Sequence, residues 1–292
     1  MVCTHESIDN TAEFVPYCAP GTTISIQNVD VHPQVTLRII TFSPQKASDM
    51  PKILFIPGWI SHIESWKAVL FEMTQSHEVI YFETREKVSS KVGRKAAFTI
   101  QDIGEDIIHF VQCQFKQDTQ YVIFASSLGA TLALETCQQL NPAPQAMALV
   151  APNAVFRVPW FMKLFVLATH PDLYLIARPI IKKYLKHFRL STQHDMAQYQ
   201  KYCRALDNAE PRKLKKAAIA FWNYSVWHRL PHIDTPTLII GASKDKLHEP
   251  ENLIRIADAL PNATYLDLGT NAIAHEADAV HALHHFLRDL KN

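Results

Sequence analysis

Tyr121-Val122-Ile123-Phe124-Ala125-Ser126-Ser127-Leu128-Gly129-Ala130 is the stretch on which the fold of this chain turns. Four apolar or aromatic residues run straight into small–Ser–Ser–Leu–Gly, and a helix-forming stretch follows through Leu140. The pattern predicts a buried strand, a very sharp turn and a helix, with Ser127 at the apex. A serine in such a turn occupies a strained backbone conformation, and the residues two before and two after it must be small for strand and helix to approach. Here they are Ala125 and Gly129, the first carrying one methyl group more than the usual glycine. A serine before a helix also suits an N-cap, and Ser126 suits that role equally. The small flanking residues put Ser127, not Ser126, at the apex.

Outward from this stretch, strand and helix patterns alternate. Thr22–Asn28 and Val35–Phe42 read as two strands joined by a turn around Asp30–Pro33. Buried strands follow at Ile53–Ile56, Val79–Phe82, Tyr121–Phe124, Met147–Val150, Leu238–Ile240 and Thr264–Leu268. Helical patterns separate most of them, at Glu64–Met73, Thr99–Gln114, Gly129–Leu140, Pro250–Ala259 and Ala277–Leu290. The expectation is an α/β fold, a mostly parallel eight-stranded sheet flanked by helices on both faces. Ligands bind such sheets at the carboxyl ends of the strands, where Trp59, Ser127, Asp245 and His275 fall.

Three further stretches carry chemistry. Lys52 to Trp66 is a strand ending in Pro57-Gly58-Trp59; Thr237 to Asp245 is a strand and short loop ending in an acid; Ala263 to His275 is a strand and loop ending in histidine. With the serine turn they give the order Ser127, Asp245, His275, the last two 30 residues apart. Together the four stretches resemble the α/β-hydrolase superfamily, from about Thr22 to Leu290. The resemblance implies that Ser127 is the nucleophile, His275 its general base and Asp245 the group that orients His275. It implies an oxyanion hole built from the backbone N–H groups of Trp59 and Leu128. Two departures stand out. Pro57 replaces the family's usual histidine before Gly58, and Phe82-Glu83-Thr84-Arg85-Glu86-Lys87 stands where Asp-x-Arg-Gly-x-Gly is common. Glu83 and Arg85 are read as structural, bracing that loop through ionic hydrogen bonds. His281, His284 and His285 compete with His275 but sit inside a helix pattern; lacking a third ligand, they are read as packing or surface residues rather than a metal site.

The stretch between β-strand patterns from Pro152 to about Pro236 shows no alternation. Residues 153–236 are expected to form a helical cap inserted into a hydrolase core made of 1–152 and 237–292. Trp160, Phe161, Phe165, Trp222 and Trp227 in this segment, with Ile60 and Ser126, are the candidate pocket lining for an apolar acyl or aryl group. Most cap aromatics are expected to serve packing instead. Between Arg157 and Arg229 there are 14 Lys and Arg against 4 Asp and Glu, whereas the rest carries 15 and 24. Such a basic block is usually a solvated face, and it also suits anionic substrates or an anionic membrane surface. No nucleic-acid motif accompanies it.

The chain has 292 residues, 48% of them hydrophobic, and a net charge of +1, enough for a sizeable core in one domain with an insertion. Five scattered cysteines suggest neither a disulfide framework nor a zinc site. The start resembles no signal peptide and no apolar run reaches the ~18 residues of a membrane span, so a cytoplasmic location is expected. The reading is a serine hydrolase acting on an ester of a hydrophobic acid, with no metal or organic cofactor. A thioesterase or a carbon–carbon bond hydrolase would use the same residues. A ligand-binding or membrane-docking protein without turnover is the alternative from another class.

Overall fold

Strict alternation in the central strands sends apolar side chains to both faces of one sheet. In the computed structural model, Leu54 and Ile56 of the strand Lys52–Ile56 join one core layer while Ile53 and Phe55 join the other. Tyr121, Ile123 and Ala125 likewise oppose Val122 and Phe124. A strand buried on both sides needs helices on both sides. The structure describes residues 5–8, 10–46, 48–156, 160–189, 196–244 and 250–291.

The strands are β1 (His5–Ile8), β2 (Thr23–His32), β3 (Val35–Ser43), β4 (Lys52–Ile56), β5 (Val79–Phe82), β6 (Lys91–Val92), β7 (Tyr121–Ser126), β8 (Met147–Val150), β9 (Thr237–Gly241) and β10 (Ala263–Asp267). Their order is β1-β2-β3-β5-β4-β7-β8-β9-β10, with β6 paired to β3. Pairing is antiparallel through β3–β5 and parallel from β5 to β10. Among the described residues the sheet therefore has ten strands rather than eight. The two additions are an edge strand and a two-residue strand, both too short to give a period-2 signal.

The helices are α1 (Lys67–Met73), α2 (Ile100–Gln114), α3 (Leu128–Thr136), α4 (Trp160–Ala168), α5 (Leu173–Tyr184), α6 (Met196–Asp207), α7 (Pro211–Ala220), α8 (Pro250–Ala259) and α9 (Ala277–Asp289). One core layer holds residues of α2, α3 and α8, the other residues of α1 and α9. Helix α2 starts at a capping box, with Thr99 and Asp102 each bonding the other's backbone. It anchors the loop after β5: Arg85 makes two 2.7 Å bonds to the buried Asp106, and Arg38 grips Glu83 at 2.6 and 3.1 Å. Both residues of that loop thus play the structural part expected of them.

Among the described residues, four α-helices, α4 to α7, lie between β8 and β9. Their anchors to the remainder are polar as well as apolar. Arg204 of α6 reaches Glu64 at 3.2 Å, and Lys216 of α7 reaches the Arg94 carbonyl at 2.5 Å. Phe221 and Val226, beyond α7, are buried in the core layer that also holds α3.

Candidate active site

Helix α3 lies so close to the sheet that all nine of its residues are buried. The approach depends on Gly129. A Cβ there would come within 2.1 Å of the Ile56 carbonyl oxygen, an impossible contact with backbone. Strand β7 must therefore reverse into α3 within one residue, and that residue is Ser127, at φ 48° and ψ −111°. Positive φ is costly for a side chain bearing a Cβ. Here it is imposed from both sides, since the Ser127 N–H donates to Val150 at 2.9 Å and its carbonyl accepts from Thr131 at 3.0 Å. The hydroxyl is thereby held out of the sheet at the end of β7.

Ser127 opens on a cavity of about 350 Å³ beyond the strand ends. Gly58, Trp59 and Ile60 after β4, Ser126 of β7, Asn153 after β8, His275 after β10 and Tyr202 of α6 are among its walls. Gly58 closes in on the serine from the side: a Cβ on it would sit 3.3 Å from that of Ser127. His275 ends a short 3-10 turn, Ile273–His275, and is half-buried. Its ring stacks on the buried Trp66 at 4.2 Å, and Nδ1 lies 2.8 Å from the Asn271 carbonyl. A carbonyl only accepts, so Nδ1 carries the proton and Nε2 is left as the basic nitrogen. The indole face also favours a positive ring above it.

Asp245 lies outside the described residues. The chain just before it does not: Lys244 N–H donates to the Gly269 carbonyl at 2.9 Å. Asp267 ties the same two loops together, accepting from the N–H groups of Ser243 at 2.9 Å and Gly269 at 2.8 Å. Those backbone hydrogen bonds, Gly269 first, hold its carboxyl below the usual range. Ser243 and Lys244 thus sit beside the loop that leads to His275.

Residues 47–276 match the family described as serine aminopeptidase, S33. The chain belongs to that family and is an α/β-hydrolase. No curated protein matches this hydrolase in sequence. Solved structures do resemble it. An esterase from Thermogutta terrifontis, 16% identical, gives a TM-score of 0.70 over 99% of this chain and 100% of its own. The enol-lactonase of Burkholderia xenovorans, 14% identical, gives 0.69 over 86% and 97%. A bacterial membrane phospholipase A, 17% identical, gives 0.70 over 97% and 91%. At such identities the likeness is one of fold.

Of the pocket residues anticipated in the hydrolase, Ile60 and Ser126 line the cavity. The side chains of Phe161 and Phe165 lie outside the described set. Trp160 is 73% exposed on α4, Trp222 carries Lys163 over its ring at 5.7 Å, and Trp227 packs on the core with Arg255 at 5.1 Å. None of these three tryptophans is among the lining residues. The inserted segment instead contributes Lys201, Tyr202 and Ala205 from α6, which no aromatic pattern singled out. Asn153 is a further addition. Its Nδ2 donates to Ser127 Oγ at 3.1 Å, while Thr131 Oγ1 holds its backbone carbonyl at 2.8 Å. Its place just past a buried strand was the available signal. The α9 histidines stand apart: His281 and His285 pair with Glu72 and Asp289, and His284 meets the buried His77 at 2.9 Å.

Proposed function

We propose that this hydrolase cleaves esters of a hydrophobic acyl group through an acyl-Ser127 intermediate. The observation that carries the reading is one cavity containing a strained Ser127 and a His275 whose Nδ1 is already protonated and bonded. His275 Nε2 takes the Ser127 proton as Oγ attacks the ester carbonyl. Asn153 donates to Oγ and occupies a lone pair, which leaves the hydroxyl proton for the base. The carbonyl oxygen becomes an oxyanion that accepts from the N–H groups of Trp59 and Leu128. The latter is at the first turn of α3, where no intrahelical acceptor exists. The imidazolium, stabilised by Trp66 and by Asp245, gives its proton to the leaving alkoxide as the C–O bond breaks. Water then repeats the sequence, and the free acid leaves.

The cavity supports an acyl group of modest size. Trp59, Ile60, Val150, Ala151 and Ala205 make most of its exposed wall apolar, polar side chains such as Asn153, Lys201 and Tyr202 stand among them, and its volume falls in the ligand-pocket range of roughly 300–1,000 Å³. Residues 153–236 act as the cap over it through α6. Thioesters and carbon–carbon substrates fit the same chemistry and are separated by assay. Fluorophosphonate labelling with peptide mapping tests the mechanism: label on Ser127 is expected, and a folded protein without label removes it.

A second reading concerns location, and exposed apolar side chains favour it. Trp160, Leu164 and Leu167 line one side of α4, and Leu173, Ile176, Ile180 and Tyr184 one side of α5, all exposed. They lie in the basic stretch, a combination suited to an anionic lipid surface. The phospholipase among the fold neighbours is itself described as a membrane protein. Co-sedimentation with phosphatidylserine vesicles at low salt is the expected result, and no binding at any salt refutes it.

A further inference from the structure

The loss of the histidine before Gly58 leaves the oxyanion loop without its usual brace, and the structure supplies another. Lys87 is 7% exposed beneath that loop, and its Nζ donates to the Gly58 carbonyl at 2.5 Å. The Ser61 N–H donates to the same oxygen at 3.1 Å. Gly58 C=O and Trp59 N–H are two ends of one peptide group. That group is planar and trans, so its oxygen and its N–H point in opposite directions. Holding the oxygen on Lys87 aims the Trp59 N–H the other way. An ammonium on the oxygen also draws electron density from the nitrogen through amide resonance, which makes the N–H a stronger donor.

The lysine is built in rather than incidental. Glu86 Oε1 lies 3.3 Å from Nζ, 4% of Glu86 is exposed, and Thr84 Oγ1 donates to that same carboxylate oxygen at 2.7 Å. From the other side, Lys213 of α7 donates to the Lys87 and Ser90 carbonyls, each at 2.6 Å. The loop carrying Lys87 is thus clamped between the sheet and the inserted helices.

We infer that Lys87 is a positioning residue of the oxyanion hole, acting through the Gly58–Trp59 peptide. The inference rests on the acyl-Ser127 reading. A purely structural ion pair would change folding and leave the transition state alone, and the test separates the two. Lys87→Met alone strands the buried Glu86 carboxylate. The double change Glu86→Gln with Lys87→Met removes both charges together and is the variant that keeps the fold. Four quantities are compared with wild type: kcat and KM on a p-nitrophenyl ester, the rate at which a fluorophosphonate phosphonylates Ser127, and the affinity of a boronic acid that forms a tetrahedral adduct. The folded double variant is expected to lose about 10- to 100-fold in kcat and in phosphonylation rate, less than for deleting a donor outright. KM stays within about twofold, and boronate affinity falls by the same factor as kcat. Wild-type kcat in the double variant, or a loss confined to KM, overturns the inference. A wild-type protein that takes no label on Ser127 overturns the acyl-enzyme reading itself, and this inference with it.

Discussion

Helices α3 and α5 make an instructive pair. The nine residues of α3 are all buried, whereas among the twelve of α5 none is. The first is wedged between sheet and α2, and its N-terminus presents Ser127. The second is held to α6 by polar bonds such as Tyr174 to the Leu206 carbonyl at 2.7 Å and Lys182 to Asp207 at 2.6 Å. Close packing on every side leaves α3 no alternative position, so the strain at Ser127 is borne by the whole core. An exposed helix held by surface ion pairs gains little from each. The contrast teaches where precision is kept and where surface is left for other contacts.

The largest expected effect falls on the serine. Ser127→Ala should lower ester turnover by about 10⁴-fold or more with the melting temperature retained, and His275→Ala should be comparably damaging. Measurable hydrolysis near the wild-type rate in either variant would break the contrast at once. Gly129→Ala tests the packing itself. With its new methyl against the Ile56 carbonyl, it should cost about 3 kcal/mol or more in urea unfolding.

A third test uses pH. His77 is buried in the second core layer's neighbourhood, its Nδ1 bonded to the Pro51 carbonyl at 2.7 Å, and burial pushes its pKa down to about 4. The unfolded chain binds that proton near pH ~6.5 and the folded chain only near ~4, so the unfolded state carries more protons between those values. Unfolding free energy should therefore be intact above ~6.5 and fall by about 3 kcal/mol towards pH ~4. A His77→Gln variant should show a flatter profile.

Changes on α5 should be far milder for stability. Ile176→Ser with Ile180→Ser should alter unfolding by no more than about 0.5 kcal/mol and spare turnover of a soluble ester, while abolishing vesicle binding. If these two changes destabilise the fold as a core change does, α5 is better packed than its exposure says. The smallest effect belongs to His281→Ala, whose exposed pair with Glu72 should be worth less than about 0.5 kcal/mol.

Much of this was readable before any coordinates. Periodicity located the eight main strands, because burial on both faces leaves uninterrupted apolar runs such as Val79–Phe82, but β2 runs on to His32 where a turn from Asp30 was expected. The small residues around Ser127 announced its turn, because nothing larger than glycine fits at 129. What escaped were β1 and β6, too short to show a period, and the lining of the cavity. Size and hydrophobicity single out the tryptophans in the sequence, but a residue's type does not reveal which way its helix faces.

The sequence by itself determined where the main strands and helices fall along the chain, the place of the sharp turn and the position of Ser127 and His275 beyond strand ends. Those follow from local pattern and steric limits, which act between near neighbours. Tertiary structure alone decided that α6 walls the serine's cavity, that Asn153 donates to the Ser127 hydroxyl, and that Lys87 holds the peptide of Gly58. Each of these joins groups whose chain separation says nothing about distance. Only the packing of the elements sets which donor reaches which acceptor.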